Sequence, residues 1–120
     1  MSYQNHYIMT KKQVTFDELI NSEKPVLVDF AAEWCGPCKA MNPILRDVAA
    51  KLGDKASIIT IDVDKNPGIA QQLGIRGIPT FILYKKGKTI WRQSGMQSAT
   101  ALMHVIGQAV ETKVEVEAAV

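Results

Sequence analysis

A run of seven residues, PVLVDFA from Pro25 to Ala31, constrains the fold of this chain more than any other segment. Its side chains are mostly β-branched or aromatic, and apolar residues stand on both alternating faces. A strand with this pattern is buried on both sides, so it belongs at the centre of a sheet whose two faces are covered. A chain of 120 residues suits one such domain with one hydrophobic core. We therefore expect residues 1–120 to form a single α/β domain, with its core at about 14–110 and a frayed tail at 111–120.

The apolar spacing switches between helical and strand periods along the chain, which favours a mixed sheet of four to five strands flanked by four helices. The long helix contains Pro43, and because its apolar period continues past that residue, we expect a bend and not an end. The predicted helices are 16–21, about 35–52, 67–73 and 99–111. The predicted strands are 25–31, 57–63, 80–84 and 89–93. The sequence does not decide whether 7–9 forms a further strand at the edge of the sheet.

Charge and hydropathy exclude several classes of protein. The 14 basic and 12 acidic residues are interleaved and give a net charge of +2, so no nucleic-acid surface is predicted. No apolar run approaches the roughly 18 residues of a membrane helix. The first residues do not have the pattern of a secretion signal, so we expect the chain to stay where it is made, unless a targeting segment was removed beforehand. We expect a monomer in the cytoplasm or an equivalent reducing compartment. The basic stretch KKGK, from Lys85 to Lys88, is predicted to be a solvated turn.

Cys35 and Cys38 are the two cysteines of the chain, three residues apart. Close-spaced cysteines in a reducing compartment more often bind metal or exchange electrons than form a permanent structural disulfide. One such pair supplies only two metal ligands, and His6 and His104 lie far apart in the sequence. The β-carbons at i and i+3 of a helix are about 5 to 6 Å apart, while a disulfide requires about 3.8 Å, so a modest adjustment in the first helical turn lets the pair close or open. Redox chemistry is the favoured interpretation, with no metal and no cofactor.

The predicted start of the long helix suits Cys35 to attack a disulfide. Unpaired N–H groups and the positive end of the helix dipole stabilise a thiolate there and lower its pKa from about 8.5. Gly36 permits close approach of a substrate backbone, and Pro37 stiffens the first helical turn. Trp34 either offers flat apolar area to a partner or packs at the edge of the core, and the sequence leaves that choice open.

Asp29 is a carboxylate inside the buried strand, on the same face as Leu27 and Ala31. Burial is costly for a charged carboxyl group and raises its pKa, so Asp29 is a candidate to accept the proton of Cys38. The alternative is an aspartate that caps backbone groups at a strand end. We favour the proton-transfer role, because the apolar run continues past Asp29.

The segment GIRGIPT, from Gly74 to Thr80, places a proline directly before a predicted strand. An Ile78–Pro79 bond in the cis form would turn the chain sharply at this point. A generic proline at a strand entry is the alternative, and the residues alone do not fix the isomer.

With these three features in order, the chain resembles the thioredoxin family over roughly Val14 to Val110. The segments that carry the resemblance are VDFAAEWCGPCK, PIL, NPGIAQQLGIRGIPT and the glycine of SGMQ. The resemblance implies the thioredoxin fold, a cis peptide before Pro79, Cys35 as the attacking thiol, Cys38 as the resolving thiol and Asp29 as the proton acceptor. It also implies an apolar docking surface for an extended substrate strand. The residues of that surface are Trp34, Gly77, Ile78, Pro79 and Gly95.

The function implied by the resemblance is that of a general protein-disulfide reductase. Its partners would be disulfide-containing proteins and a separate thioredoxin reductase as electron donor, because the chain has no nucleotide-binding glycine motif. The alternatives are a non-catalytic binding partner or subunit, and an oxidase or isomerase. Related oxidising enzymes tend to have a histidine where this chain has Gly36 and Pro37. Two positions depart from the family pattern: Ala31 replaces an aromatic residue, and Thr60 replaces a lysine.

Overall fold

The computed structural model describes residues 14–113. Its elements, in chain order, are α1 (Phe16–Ile20), β1 (Val26–Ala31), α2 (Gly36–Leu52), β2 (Ser57–Asp62), α3 (Pro67–Gln72), β3 (Thr80–Lys85), β4 (Lys88–Ser94) and α4 (Ala99–Glu111). The expected edge strand at 7–9 and the tail beyond residue 113 lie outside the described part of the chain. Within that part, no helix is long and apolar enough to cross a membrane.

The sheet is mixed, with the strand order β2-β1-β3-β4. β1 runs parallel to β2 and antiparallel to β3, and β3 forms an antiparallel hairpin with β4. Every residue of β1 is buried, which confirms that the apolar run is a central strand. In the register of the sheet, Asp29 lies opposite Thr60 on β2 and Phe81 on β3. The predicted α/β architecture is confirmed.

Helices cover both faces of the sheet. On one face, Leu27, Phe81 and Leu83 pack against apolar side chains of α2 and α4, with Met41 and Leu102 fully buried among them. On the other face, the sheet side chains pack against α1 and α3, and the residues of this second cluster include Ile20, Val28, Phe30, Ile69, Leu73 and Ile82. The double burial of β1 therefore follows from a three-layer arrangement.

Helix α2 runs without interruption from Gly36 to Leu52 and includes Pro43. The prediction that this proline does not end the helix is confirmed. The helix stops at Gly53, whose positive φ of 59° suits glycine, and a short 3-10 turn (Gly53–Lys55) follows. The long helix thus carries Cys38 at one end and packs its apolar face on the sheet along the rest of its length.

The prediction of a solvated KKGK turn is wrong for Lys85. This side chain is buried at the end of β3, and its Nζ donates hydrogen bonds to the carbonyl oxygens of Ala109 (2.7 Å) and Thr112 (2.6 Å) at the end of α4. The ammonium group adds a charged donor to the carbonyls at the end of the helix and interacts favourably with the negative end of the helix dipole. The turn is made by Lys86 and Gly87, both with positive φ.

Candidate active site

The two cysteines form a disulfide at the beginning of α2, with their Cα atoms 5.2 Å apart. Cys35 is the N-cap residue, and its Sγ accepts a hydrogen bond of 3.1 Å from the backbone N–H of Cys38. Gly36 and Pro37 are the first two residues of the helix. The Sγ of Cys35 therefore lies where the N–H groups and the helix dipole favour negative charge.

Both sulfur-bearing residues are largely covered by the protein: Cys35 is 3% and Cys38 is 4% exposed. A Cβ atom placed on Gly36 would meet nothing within 4 Å, so the packing of the chain itself does not demand glycine there. Open space in front of the helix start leaves room for another molecule to approach the disulfide.

The Ile78–Pro79 peptide bond is cis, as the family resemblance implied. The carbonyl oxygen of Ile78 lies 3.9 Å from the Sγ of Cys35, although 43 residues separate the two in sequence. The backbone N–H of Gly95 donates a hydrogen bond of 2.8 Å to the carbonyl of Pro79, and Gly95 has a φ of 90°. The cis-proline segment and the loop after β4 are thereby held together beside the first cysteine.

Trp34 is exposed, with 70% of its surface accessible, so the alternative of a tryptophan packed at the core edge is wrong. Its indole Nε1 donates a hydrogen bond of 2.8 Å to Oδ2 of Asp64. The loop of Asp64 is itself held by Asp62, whose Oδ1 accepts the backbone N–H of Asp64. Sequence reasoning missed Asp64, because nothing local marks a contact between loops 30 residues apart.

Asp29 is only 1% exposed, and burial raises the pKa of its carboxyl group to about 7. Its Oδ1 has no hydrogen-bond partner among the described residues. This unpaired oxygen, in the middle of β1, argues against an aspartate that caps backbone groups at a strand end. The carboxyl group is therefore a base of near-neutral strength on the face of the sheet that α2 covers.

A cleft of about 440 Å³ lies between the first turn of α2 and the end of β2. It is lined by Ala31, Ala32, Glu33, Cys38, Lys39, Asn42, Thr60 and Asp62. The two positions that depart from the family pattern, Ala31 and Thr60, are both in its walls. The short side chains at these positions leave space beside the second cysteine.

Across residues 14–113, no group of three or more His, Cys, Asp and Glu residues is placed to hold a metal ion. His104 is exposed on α4. The structure therefore offers the cysteines no partners for a metal centre in its described part.

The site combines paired cysteines at a helix N-terminus with a cis-proline at one end of a mixed sheet. This combination defines the class of α/β proteins built for thiol–disulfide exchange. The profile of the thioredoxin family matches residues 7–108. The chain belongs to the thioredoxin family.

Three similar proteins support this assignment. The chain is 49% identical over 107 residues to "Thioredoxin Y, chloroplastic" of Oryza sativa subsp. japonica, covering 87% of this chain and 64% of the rice protein. It is 40% identical over 93 residues to "Thioredoxin" of Rickettsia felis, covering 78% of this chain and 89% of that protein. A solved structure, "N21Q mutant thioredoxin from Halobacterium salinarum NRC-1", superposes with a TM-score of 0.71 at 35% identity, covering 81% of this chain and 87% of that one.

The chain spans less than two thirds of the length of the chloroplastic plant relatives that it matches. These likenesses therefore establish the family and the fold of the chain.

Proposed function

We propose that this protein is a protein-disulfide reductase that works by dithiol–disulfide exchange through Cys35 and Cys38. The observation that carries the proposal is the hydrogen bond from the Cys38 N–H to the Sγ of Cys35 at the start of α2. In the reduced protein, the same N–H stabilises a Cys35 thiolate, which is the species that attacks a disulfide.

In the first step, the Cys35 thiolate attacks one sulfur of a substrate disulfide, and a mixed disulfide forms as the other substrate sulfur leaves. An extended substrate segment pairs with the backbone before Pro79, close to the Ile78 carbonyl. The exposed indole of Trp34 supplies flat apolar area, and Gly36 and Pro37 keep the approach open and rigid. Gly77 and Gly95 complete this surface without side chains that would obstruct a backbone.

In the second step, Cys38 attacks the Cys35 sulfur of the mixed disulfide and releases the reduced substrate. Cys38 must first lose its proton, and Asp29 is the proposed acceptor. The carboxyl group has a pKa of about 7, so it is ionised at slightly alkaline pH and is a stronger base than an exposed aspartate. The products are reduced substrate and the Cys35–Cys38 disulfide seen in the structure.

The partners of this cycle are disulfide-containing proteins, which the reductase acts on, and a thioredoxin reductase, which returns two electrons to the disulfide. The cycle needs a compartment that keeps thiols reduced, for which we propose the cytoplasm. The rice relative is chloroplastic by name, so a fractionation experiment with an antibody against this chain tests the location.

The experiment that tests the function is a single-turnover assay in which the fully reduced protein reduces a model protein disulfide. Wild type is expected to complete the reaction, and Cys35→Ser is expected to lose it. Asp29→Asn is expected to slow release of the substrate while leaving formation of the mixed disulfide unchanged. Full activity of Cys35→Ser would contradict the proposal, and intact biological activity without both cysteines would favour a binding partner instead.

A further inference from the structure

The last residue of β4 is hydrogen-bonded to the segment that leads into Pro79. Thr80, the first residue of β3, lies directly opposite Ser94 in the antiparallel pairing of β3 and β4, and their hydroxyl oxygens are 3.0 Å apart. Thr80 is fully buried, and its Oγ1 donates a hydrogen bond of 2.5 Å to the carbonyl oxygen of Gly77. The two hydroxyl groups and the Gly77 carbonyl therefore form one continuous chain of hydrogen bonds.

The direction of these bonds follows from the protons that the two side chains have. A hydroxyl group has one proton to donate and two lone pairs that accept. The Thr80 proton is used in the bond to Gly77, so the Ser94 hydroxyl donates to the Thr80 oxygen. A hydroxyl group that accepts one hydrogen bond is polarised and donates its own proton more strongly. Ser94 thereby strengthens the hold of Thr80 on the Gly77 carbonyl.

The Gly77 carbonyl shares its peptide unit with the N–H of Ile78. This unit is trans and planar, so the N–H points to the side opposite the carbonyl. Because buried Thr80 fixes the carbonyl, it also fixes the direction of the Ile78 N–H. Among the described residues, no backbone carbonyl accepts this N–H, and the carbonyl of Ile78 itself lies 3.9 Å from the Sγ of Cys35. A backbone donor of fixed direction therefore stands beside the redox pair.

The start of the same segment is held by a different side chain. Arg92 of β4 donates hydrogen bonds to the carbonyl oxygens of Leu73 (2.6 Å) and Gly74 (3.0 Å). Neither bond involves the two hydroxyl groups. Loss of a hydroxyl group is therefore expected to release the peptide unit before Pro79 without releasing the whole segment.

We propose that Thr80 and Ser94 are positioning residues for protein substrates, because together they aim the Ile78 N–H at the backbone of a docked substrate strand. The inference rests on the docking proposed above and adds two residues that act through the Gly77 carbonyl. An extended strand gains affinity from main-chain hydrogen bonds, and a donor that is already fixed in direction loses little freedom when it pairs. A small disulfide without peptide groups gains nothing from this arrangement.

The test compares a protein disulfide with a small neutral one, bis(2-hydroxyethyl) disulfide, with dithiothreitol as the electron donor and the uncatalysed rate subtracted. Thr80→Val keeps the shape of the side chain and removes the hydroxyl group. For the protein disulfide, kcat/KM is expected to fall about three- to tenfold, mostly through KM. Thr80→Ser keeps the hydroxyl group and is expected to stay within about twofold of wild type. For the small disulfide, both variants are expected to stay within about twofold of wild type.

Ser94→Ala removes the outer hydroxyl group at an exposed position, so it tests the inference even if Thr80→Val does not fold. Its KM for the protein disulfide is expected to rise about two- to threefold. Thr89→Val, also exposed on β4, is the matched control and is expected to leave KM unchanged.

Two results would overturn the inference. One is a wild-type KM for the protein disulfide in Ser94→Ala and in folded Thr80→Val, and the other is an equal loss of activity toward the protein and the small disulfide. Failure of the proposed reductase function would appear in wild type, as no reduction of the protein disulfide. Failure of the inference would appear only in the variants, so the two failures are distinguishable.

Discussion

The backbone N–H of Cys38 donates a hydrogen bond of 3.1 Å to the Sγ of Cys35, within the first turn of α2. Cys35 is proposed to attack a substrate, and Cys38 is proposed to release it. The backbone of Cys38 thus holds the attacking sulfur of Cys35. Because a thiolate accepts such a bond better than a thiol does, this contact is expected to survive reduction and to favour negative charge on Cys35.

Alkylation of the reduced protein tests that charge preference. At pH 7, iodoacetamide is expected to modify Cys35 at least about tenfold faster than Cys38, because the thiolate is the reacting species. Peptide mapping by mass spectrometry gives the two rates, and the Cys35→Ser and Cys38→Ser variants give each rate in isolation. Equal rates at the two cysteines would show that the helix start does not stabilise the Cys35 thiolate.

Asp29 makes the stability of the protein depend on pH. Its pKa is about 7 in the folded protein and 3.8 for an ordinary aspartate carboxyl group, so the folded state binds the proton more tightly. The contribution of Asp29 to the free energy of unfolding is therefore fully present below pH 3.8, and it is lost as the pH rises through 7. Between pH 5 and pH 8, the unfolding free energy of wild type is expected to fall by about 2 to 3 kcal/mol relative to that of Asp29→Asn.

Urea denaturation of the two oxidised proteins at a series of pH values measures this difference. Because the other titrating groups are shared, their contributions cancel when the variant is subtracted. A difference between the two proteins that stays constant from pH 5 to pH 8 would mean that the folded and unfolded states bind this proton equally, so the Asp29 carboxyl would already be ionised at pH 5 in the folded protein.

Lys85 is expected to contribute strongly to stability although it lies far from the cysteines. Replacing it in Lys85→Met removes a charged donor that the carbonyls of Ala109 and Thr112 share, although the Ala109 oxygen still accepts the backbone N–H of Thr112. The expected loss in unfolding free energy is about 1 to 3 kcal/mol. Lys88→Met, at an exposed position of the same hairpin, is the control and is expected to change stability by less than about 0.5 kcal/mol. Equal effects at the two lysines would refute the capping role.

Asp64 is expected to act as a positioning residue for protein substrates. Asp64→Ala removes the acceptor for the Trp34 indole N–H and frees an exposed ring that is proposed to contact the substrate. The value of kcat/KM for a protein disulfide is expected to fall about two- to fivefold, mostly through KM. Asp64→Asn keeps an acceptor oxygen and is expected to restore near-normal kinetics. Wild-type kinetics in the alanine variant would remove this role.

The sequence predicted the scaffold well, because local patterns are enough to determine it. Apolar residues on both faces of 26–31 require coverage from both sides. Thr15 and Glu18, three residues apart, form a capping box at the start of α1, a spacing that can be read in the sequence. The disulfide pairing and the burial of Asp29 also agree with their spacing and context. The roles of these residues stay predictions until the variants are assayed.

Features that depend on distant parts of the chain were not predictable in the same way. Lys85 belongs to a basic run that is typical of a solvated turn, yet the end of α4 brings carbonyl groups to its ammonium group. Arg92 similarly donates to the carbonyls of Leu73 and Gly74 at the end of α3. Both contacts cap helices that are 18 or more residues away in sequence, so no local pattern marks them.

The central claim is that Cys35 attacks a substrate disulfide and Cys38 resolves the product, and the most direct measurement is a trapping experiment. A disulfide-bonded model protein is mixed with reduced Cys38→Ser and, separately, with reduced Cys35→Ser, and covalent complexes are counted by non-reducing mass spectrometry. The account predicts a stable complex through Cys35 in Cys38→Ser and essentially none in Cys35→Ser. A complex that forms through Cys38 in Cys35→Ser, with none in Cys38→Ser, would contradict it.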